Sequence, residues 1–349
     1  MDLELLKNKF RGTMLGVLVG DVLGHSFKNK EVLSSRKKIY LQQKLDMLEE
    51  IKCGEFVMKF SSDSAMTRSV AESLIEKQDL DIVDVAKRFV ESYYQDPARV
   101  YGLSCIQVLT KLAGLRDEII ESGIDVKGPA KDLLGGADSY GNGGAMKIAP
   151  VSLYCYNNYD NLLHYVKEVT QITHAHELGI NGAILQAIAI QQSLCLHHSE
   201  ELNISNFIDD LINKMDKIEV DKSQPYKERL KIVKNLLSET GGEPNEQRII
   251  EKLGNKLTAL ESVPTAIFCF LNAEKRIKGI RTDNPVRRAI QYAITLGGDT
   301  DTIASMTGAI AGAFYGHEKF SRLLLSHCEQ ADRFEELADE LLGIATSKS

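Results

Sequence analysis

Leu296-Gly-Gly-Asp-Thr-Asp-Thr302 sets two aspartates one residue apart behind a glycine pair, at the head of a helix-like run. Two such carboxylates cannot share a face of a regular helix, but a Gly-Gly turn can aim both at one point. Convergent carboxylates repel unless something positive lies between them, and the oxygens of Asp299, Asp301 and Thr302 suit Mg²⁺ or Ca²⁺. The same residues would also serve as a capping turn that accepts the first free helical N–H groups. Phe60-Ser-Ser-Asp-Ser-Ala-Met66 groups Ser61, Ser62 and Ser64 around Asp63 before a second helical pattern, where a plain N-cap is the simplest reading. Ser139-Tyr-Gly-Asn-Gly-Gly-Ala-Met146 can fold its glycines into a turn whose N–H groups point inward together, as phosphate oxygens require. His174 and His176 are one residue apart and could be ligands, although hydrogen bonding at a helix end is the simpler reading.

The elements that must position these residues are helical. Ile82, Val85, Phe89 and Tyr93 recur at three and four residues, and GINGAILQAIAIQQSLCL and RRAIQYAITL read the same way. Alternating β-branched runs are scarce, so the spacing predicts an all-α domain, while the length alone would fit one large domain or two small ones. Polar stretches at 219–227 and 239–246 read as loops too short to be linkers. No repeat of 20 to 50 residues is visible. Two helices carry glycine stripes: Gly12, Gly16, Gly20 and Gly24, and then Ala304, Gly308, Gly312 and Gly316. Glycine costs about 1 kcal/mol against alanine inside a helix. A helix that tolerates several of them needs close backbone approach, so both are expected to be central and tightly packed.

Composition narrows the partners. The chain has 349 residues, 43% hydrophobic and 26% charged, and 42 basic against 49 acidic residues give a net charge of −7. That balance argues against holding nucleic acid or an anionic membrane by charge, and leaves a nucleotide-sized ligand open. The stretches MLGVLVG and IASMTGAIAGAFY fall short of the roughly 20 residues that span a bilayer, so no membrane span is expected. The N-terminal MDLELLKNKF lacks the pattern of a secretory signal. Six cysteines without CxxC or Cys/His zinc spacing suit buried thiols in a reducing compartment, so the expected location is cytoplasmic.

Taken in order, FRGTMLGVLVGDVLG, SSDSAM, SYGNGGAMKIAP, THAHELGINGAILQAIA, ALESVPTAIFCFL and TLGGDTDTIASMTGAIAGAFYG resemble the ADP-ribosylhydrolase family, its third branch and the lens J-crystallins in particular. The resemblance covers about residues 9–330 and implies a compact all-helical fold, a single domain over residues 1–349, with a groove for ADP-ribose above a pair of Mg²⁺ ions. Asp299, Asp301 and Thr302 then stand as metal ligands, and Asp63 matches the second aspartate of a Thr-Asp-Asp motif. Ser61 keeps the hydroxyl of that motif's threonine. Ser139, Tyr140, Gly141, Asn142 and His174 match residues that line the ADP-ribose groove.

Several positions depart from this pattern. Ser62 stands where the motif has its first aspartate, and Lys28 where the resemblance places a catalytic glutamate, with Glu31 as a substitute only if the loop slips. Leu134 stands at an adenine-stacking aromatic, Asp138 at a small residue beside the phosphates, and Val100 and Ser104 at glycines of a pyrophosphate loop. Fold kept and site eroded is the expectation: a non-catalytic structural protein of the J-crystallin type, with Mg²⁺ bound weakly, partially or not at all. The rivals are a working Mg²⁺-dependent hydrolase of O-linked ADP-ribose and a binder of ADP-ribose without turnover. Self-association stays open.

Overall fold

The computed structural model describes residues 2–28, 31–51, 54, 57–115, 125–133, 140–196, 202–220, 223–239 and 245–347. In chain order its helices are α1 (Leu3–His25), α2 (Ser35–Glu50), α3 (Ser62–Lys77), α4 (Ile82–Gln95), α5 (Leu103–Gly114), α6 (Gly128–Asp132), α7 (Ala149–Tyr154), α8 (Tyr159–Gln171) and α9 (Glu177–Cys195). They continue with α10 (Ile204–Ile218), α11 (Pro225–Glu239), α12 (Glu246–Leu253), α13 (Ala259–Asn272), α14 (Pro285–Thr295), α15 (Thr300–Tyr315), α16 (Arg322–Ser326) and α17 (Ala331–Ser347). Among the described residues there is no strand, only isolated bridges at Met58–Cys328 and Gly141–Thr258. The accessible surface of 14,612 Å² is close to the roughly 14,000 Å² that one compact body of this mass exposes.

The glycine stripes make the central contact. Helices α1 and α15 run antiparallel and share the most extensive helix–helix interface. A Cβ on Gly16 would lie 2.0 Å from the Gly308 carbonyl oxygen, and one on Gly308 would lie 2.2 Å from that of Gly16. Gly12 faces Gly312, Gly20 faces Ala304, and Gly24 faces Thr300 in the same way. Residues four apart share a helix face, so four glycines let the two backbones touch over about three turns. Both helices are buried nearly throughout, which explains why α1 is apolar all round from Met14 to Gly24 except for Asp21.

The other helices pack around this pair. Helix α9 is long and apolar enough to cross a bilayer by length and composition, a stretch that the two shorter runs considered from sequence did not include. Here it lies buried against α13, α15 and α8. Within the stretch read as a loop at 219–227, Pro225 already opens α11 with a pre-set φ and no N–H to satisfy, and residues 221 and 222 lie outside the described residues. The buried Glu219 carboxylate accepts the free N–H groups of Tyr226 and Lys227, each at 3.0 Å. The loop read at 239–246 includes the last residue of α11 and the first of α12, and residues 240–244 lie outside the described residues.

Candidate functional site

Because α1 and α15 are antiparallel, the C-terminus of α1 lies beside the N-terminus of α15, with the Thr300 hydroxyl donating to the Gly24 carbonyl at 2.8 Å. The N-terminus of α3 joins them. Asp21 of α1 reaches across and accepts from the backbone N–H of Ser61 at 3.0 Å, the N–H of Ser64 at 3.1 Å and the Ser64 hydroxyl at 2.6 Å. A carboxylate at a helix start satisfies orphan donors and suits the positive end of the helix dipole. Two helix N-termini and one C-terminus thus meet around Asp21, Asp63, Asp299 and Asp301, all buried.

The glycine pair does what its type suggested. Gly297 and Gly298 adopt φ of +71° and +73°, and a Cβ on Gly298 would lie 2.0 Å from the Asn255 carbonyl oxygen. The turn aims Asp299 and Asp301 at one point, and that point is an ammonium. Lys28 Nζ lies 3.0 Å from Asp299 Oδ1 and 3.0 Å from Asp301 Oδ2, with its side chain only 18% exposed. At an effective dielectric of 20, each such pair gains about 5 kcal/mol before desolvation is subtracted. Asp299 also accepts from Asn142 Nδ2 at 2.7 Å. Asp301 accepts from the Thr302 N–H at 2.9 Å, and His25 Nδ1 stands 3.5 Å from its Oδ2.

The electrostatics follow from this packing. Burial alone would lower the Lys28 pKa, but the charges of Asp299, Asp63 and Asp301 outweigh it and push it up, so the ammonium is held charged. Burial pushes Asp301 up, yet His25 and Lys28 outweigh that and hold it below the usual carboxylate range. Burial and the neighbouring Asp301 and Asp21 push Asp63 well up, toward its neutral form. Asp63 Oδ2 is buried without a hydrogen-bond partner, while its Oδ1 takes the Ser61 hydroxyl at 3.3 Å and the Ser62 hydroxyl at 3.5 Å.

The residues present do not fit a divalent ion as arranged. The oxygens that would surround one, on Asp299 and Asp301, already surround the Lys28 ammonium, and Ser62 adds no charge to replace them. Among the described residues no group of three or more His, Cys, Asp or Glu side chains is set to hold a metal. Ser61 is the N-cap of α3, its hydroxyl accepting from the Asp63 N–H at 3.2 Å, so the capping reading holds there. Ser62 donates to the Val100 carbonyl at 3.3 Å. Thr302 is buried at the head of α15. Glu31 is exposed.

The groove side is partly in view. Tyr140 and Asn142 are tied to the start of α13: the Ala259 N–H donates to the Tyr140 carbonyl at 3.0 Å, and the Asn142 N–H to the Leu257 carbonyl at 2.9 Å. His174 lies against Gly141 and Gly143. His176 instead caps α9 by accepting from the Leu178 N–H at 3.1 Å, so the two histidines are not joint ligands. Leu134, Asp138 and Ser139 lie outside the described residues. Asp21 and His25 were missed from sequence, although a lone carboxylate inside VLVGDVLG was a signal for the first.

Val100 holds φ of +56°, a left-handed conformation that a β-branched residue adopts only under strain. Such strain costs on the order of 1–3 kcal/mol. Val100→Gly is therefore expected to raise the midpoint of denaturant unfolding, and a midpoint equal to or below the parent's would show that the strain is absent.

The ADP-ribosylglycohydrolase family model matches residues 2–349. ADP-ribosylhydrolase ARH3 of Mus musculus is 36% identical over 349 residues, covering 96% of this chain and 91% of the relative. ADP-ribosylhydrolase ARH3 of Homo sapiens is 35% identical over 349 residues, covering 96% and 93%. A solved structure described as an ADP-ribosylglycohydrolase-related protein complex superposes with a TM-score of 0.68 over 98% of this chain and 99% of that one, at 19% identity, which speaks for the fold.

Proposed function

This chain belongs to the ADP-ribosylglycohydrolase family, and from that premise we propose that it keeps the family's helical body without metal-dependent hydrolysis, serving as a structural protein of the J-crystallin type. The observation that carries the reading is the Lys28 ammonium, 3.0 Å from both Asp299 and Asp301. It supplies the positive charge that convergent carboxylates need, and it does so covalently, from the loop that follows α1. An ammonium has no vacant coordination position, so it neither polarises a ribose oxygen as a Lewis acid nor activates a water as a bound metal does. Ser62 leaves the site one carboxylate poorer, and exposed Glu31 does not supply the glutamate missing at Lys28. A sequence without tryptophan and with a net charge of −7 is compatible with a concentrated, light-exposed protein. A cytosolic location belongs to the same reading, since Cys105, Cys155, Cys195, Cys269 and Cys328 are free thiols.

The test is an assay with peptides carrying serine-linked ADP-ribose, and with O-acetyl-ADP-ribose, at millimolar Mg²⁺. Release of ADP-ribose should stay at the level of the protein-free control. Robust Mg²⁺-dependent release would overturn the proposal. Loss of that release in Glu31→Gln would further assign the carboxylate to a shifted loop.

A further inference from the structure

Behind the turn at 140–144 lies a line of side chains that the acidic cluster does not use. Lys147 is fully buried, and among the described residues no carboxylate lies within ion-pair distance of it. Its ammonium sits 5.2 Å from the centre of the Phe89 ring and donates to Thr173 Oγ1 at 2.5 Å. Thr173, itself buried, places the same Oγ1 2.8 Å from His174 Nδ1.

The donor and acceptor roles along this line are determined by chemistry. An ammonium only donates, so the threonine oxygen accepts from Lys147. Among the described residues Nδ1 is the one acceptor within reach of the hydroxyl hydrogen, so the hydroxyl donates to Nδ1 and the hydrogen of a neutral imidazole sits on Nε2. The ring is neutral: burial, helped by the Lys147 charge, pushes His174 down to about 3. Nε2 faces the glycine turn, since a Cβ on Gly143 would lie 2.8 Å from it and one on Gly141 3.5 Å. The other end of the same turn is held by Asn142 on Asp299.

We propose that Lys147 and Thr173 are positioning residues that hold His174 in its Nε2–H form, presenting one oriented donor to the 140–144 turn for a phosphate or ribose oxygen. The ligand half of this statement rests on the family reading of the turn as groove lining, whereas the tautomer half stands on the free protein alone. Because Lys28 takes the charge of the acidic cluster, this donor line serves ligand binding independently of any metal.

Nitrogen-15 correlation spectra of histidine-labelled protein at pH 7 test both halves, with the His174 signal identified by its loss in His174→Gln. The parent should show the Nε2–H form. Thr173→Val should lower the Nε2–H to Nδ1–H ratio by about tenfold, the weight of one buried hydrogen bond. Lys147→Met should lower it by less, and Thr173→Ser and Lys147→Arg, which keep hydroxyl and cation, should retain it and guard against a misfolded variant. An Nδ1–H form in the parent, or an unchanged ratio in Thr173→Val, would overturn the relay. Titration with ADP-ribose should shift the Nε2 signal of the parent. If the tautomer is as stated and ADP-ribose shifts nothing, the groove reading fails and the relay stands.

Discussion

Gly16→Ala is expected to cost about 3 kcal/mol or more, at or beyond the upper end of ordinary overpacking. The added methyl would lie 2.0 Å from the Gly308 oxygen and 2.3 Å from its carbon, and both atoms are backbone that no rotamer change can move. The only relief is to part α1 from α15, which loosens the central interface of the body. Total stability for a domain is on the order of 5–15 kcal/mol, so one methyl threatens folding itself. Gly343→Ala is the control. That glycine lies inside α17 with nothing within 4 Å of its added Cβ, so alanine there should be neutral or stabilise by up to about 1 kcal/mol. Denaturant unfolding of the two variants checks the pair, and equal midpoints would contradict the packing argument.

Lys28→Met should destabilise the protein by about 3–5 kcal/mol in metal-free buffer, the usual cost of removing one partner from a buried ion pair. Asp299 and Asp301 would lose their shared cation in a cluster that also holds Asp21 and Asp63. The vacated space is bounded by carboxylate oxygens, so millimolar Mg²⁺ should raise the melting temperature of this variant and leave the parent's nearly unchanged. Lys28→Glu with Ser62→Asp should show a larger Mg²⁺ dependence than either single change. The effects should not add, because the two groups share one site. A parent that gains as much from Mg²⁺ as Lys28→Met does would show that the ammonium does not hold the cation position.

The two experiments separate the packing of the body from the electrostatics of the acidic cluster. Glycines at the α1–α15 contact cannot accept a side chain, whereas the acidic cluster carries a cation, Lys28, within the chain. Adding carboxylates there therefore probes cation binding at the cluster. Enlarging a stripe residue attacks the scaffold that positions it.

Much of this was legible in the residues themselves. Helical periodicity, the glycine stripes, the Gly-Gly turn before Asp299 and the capping role of Ser61 are local properties, set by which side chains recur on one helix face or lie within reach of the next few N–H groups. The meeting of Lys28 with Asp301 is different, because the two are 273 residues apart and touch only through the antiparallel docking of α1 on α15. From sequence, Lys28 stands where the resemblance places a glutamate; in the folded chain it is the cation between two aspartates. The capping of α3 by Asp21 and the line from Lys147 through Thr173 to His174 were likewise decided by tertiary structure. Spacing along a chain determines which residues share a face, but the charge of a neighbour and the direction of a hydrogen bond depend on which faces are pressed together once water is excluded.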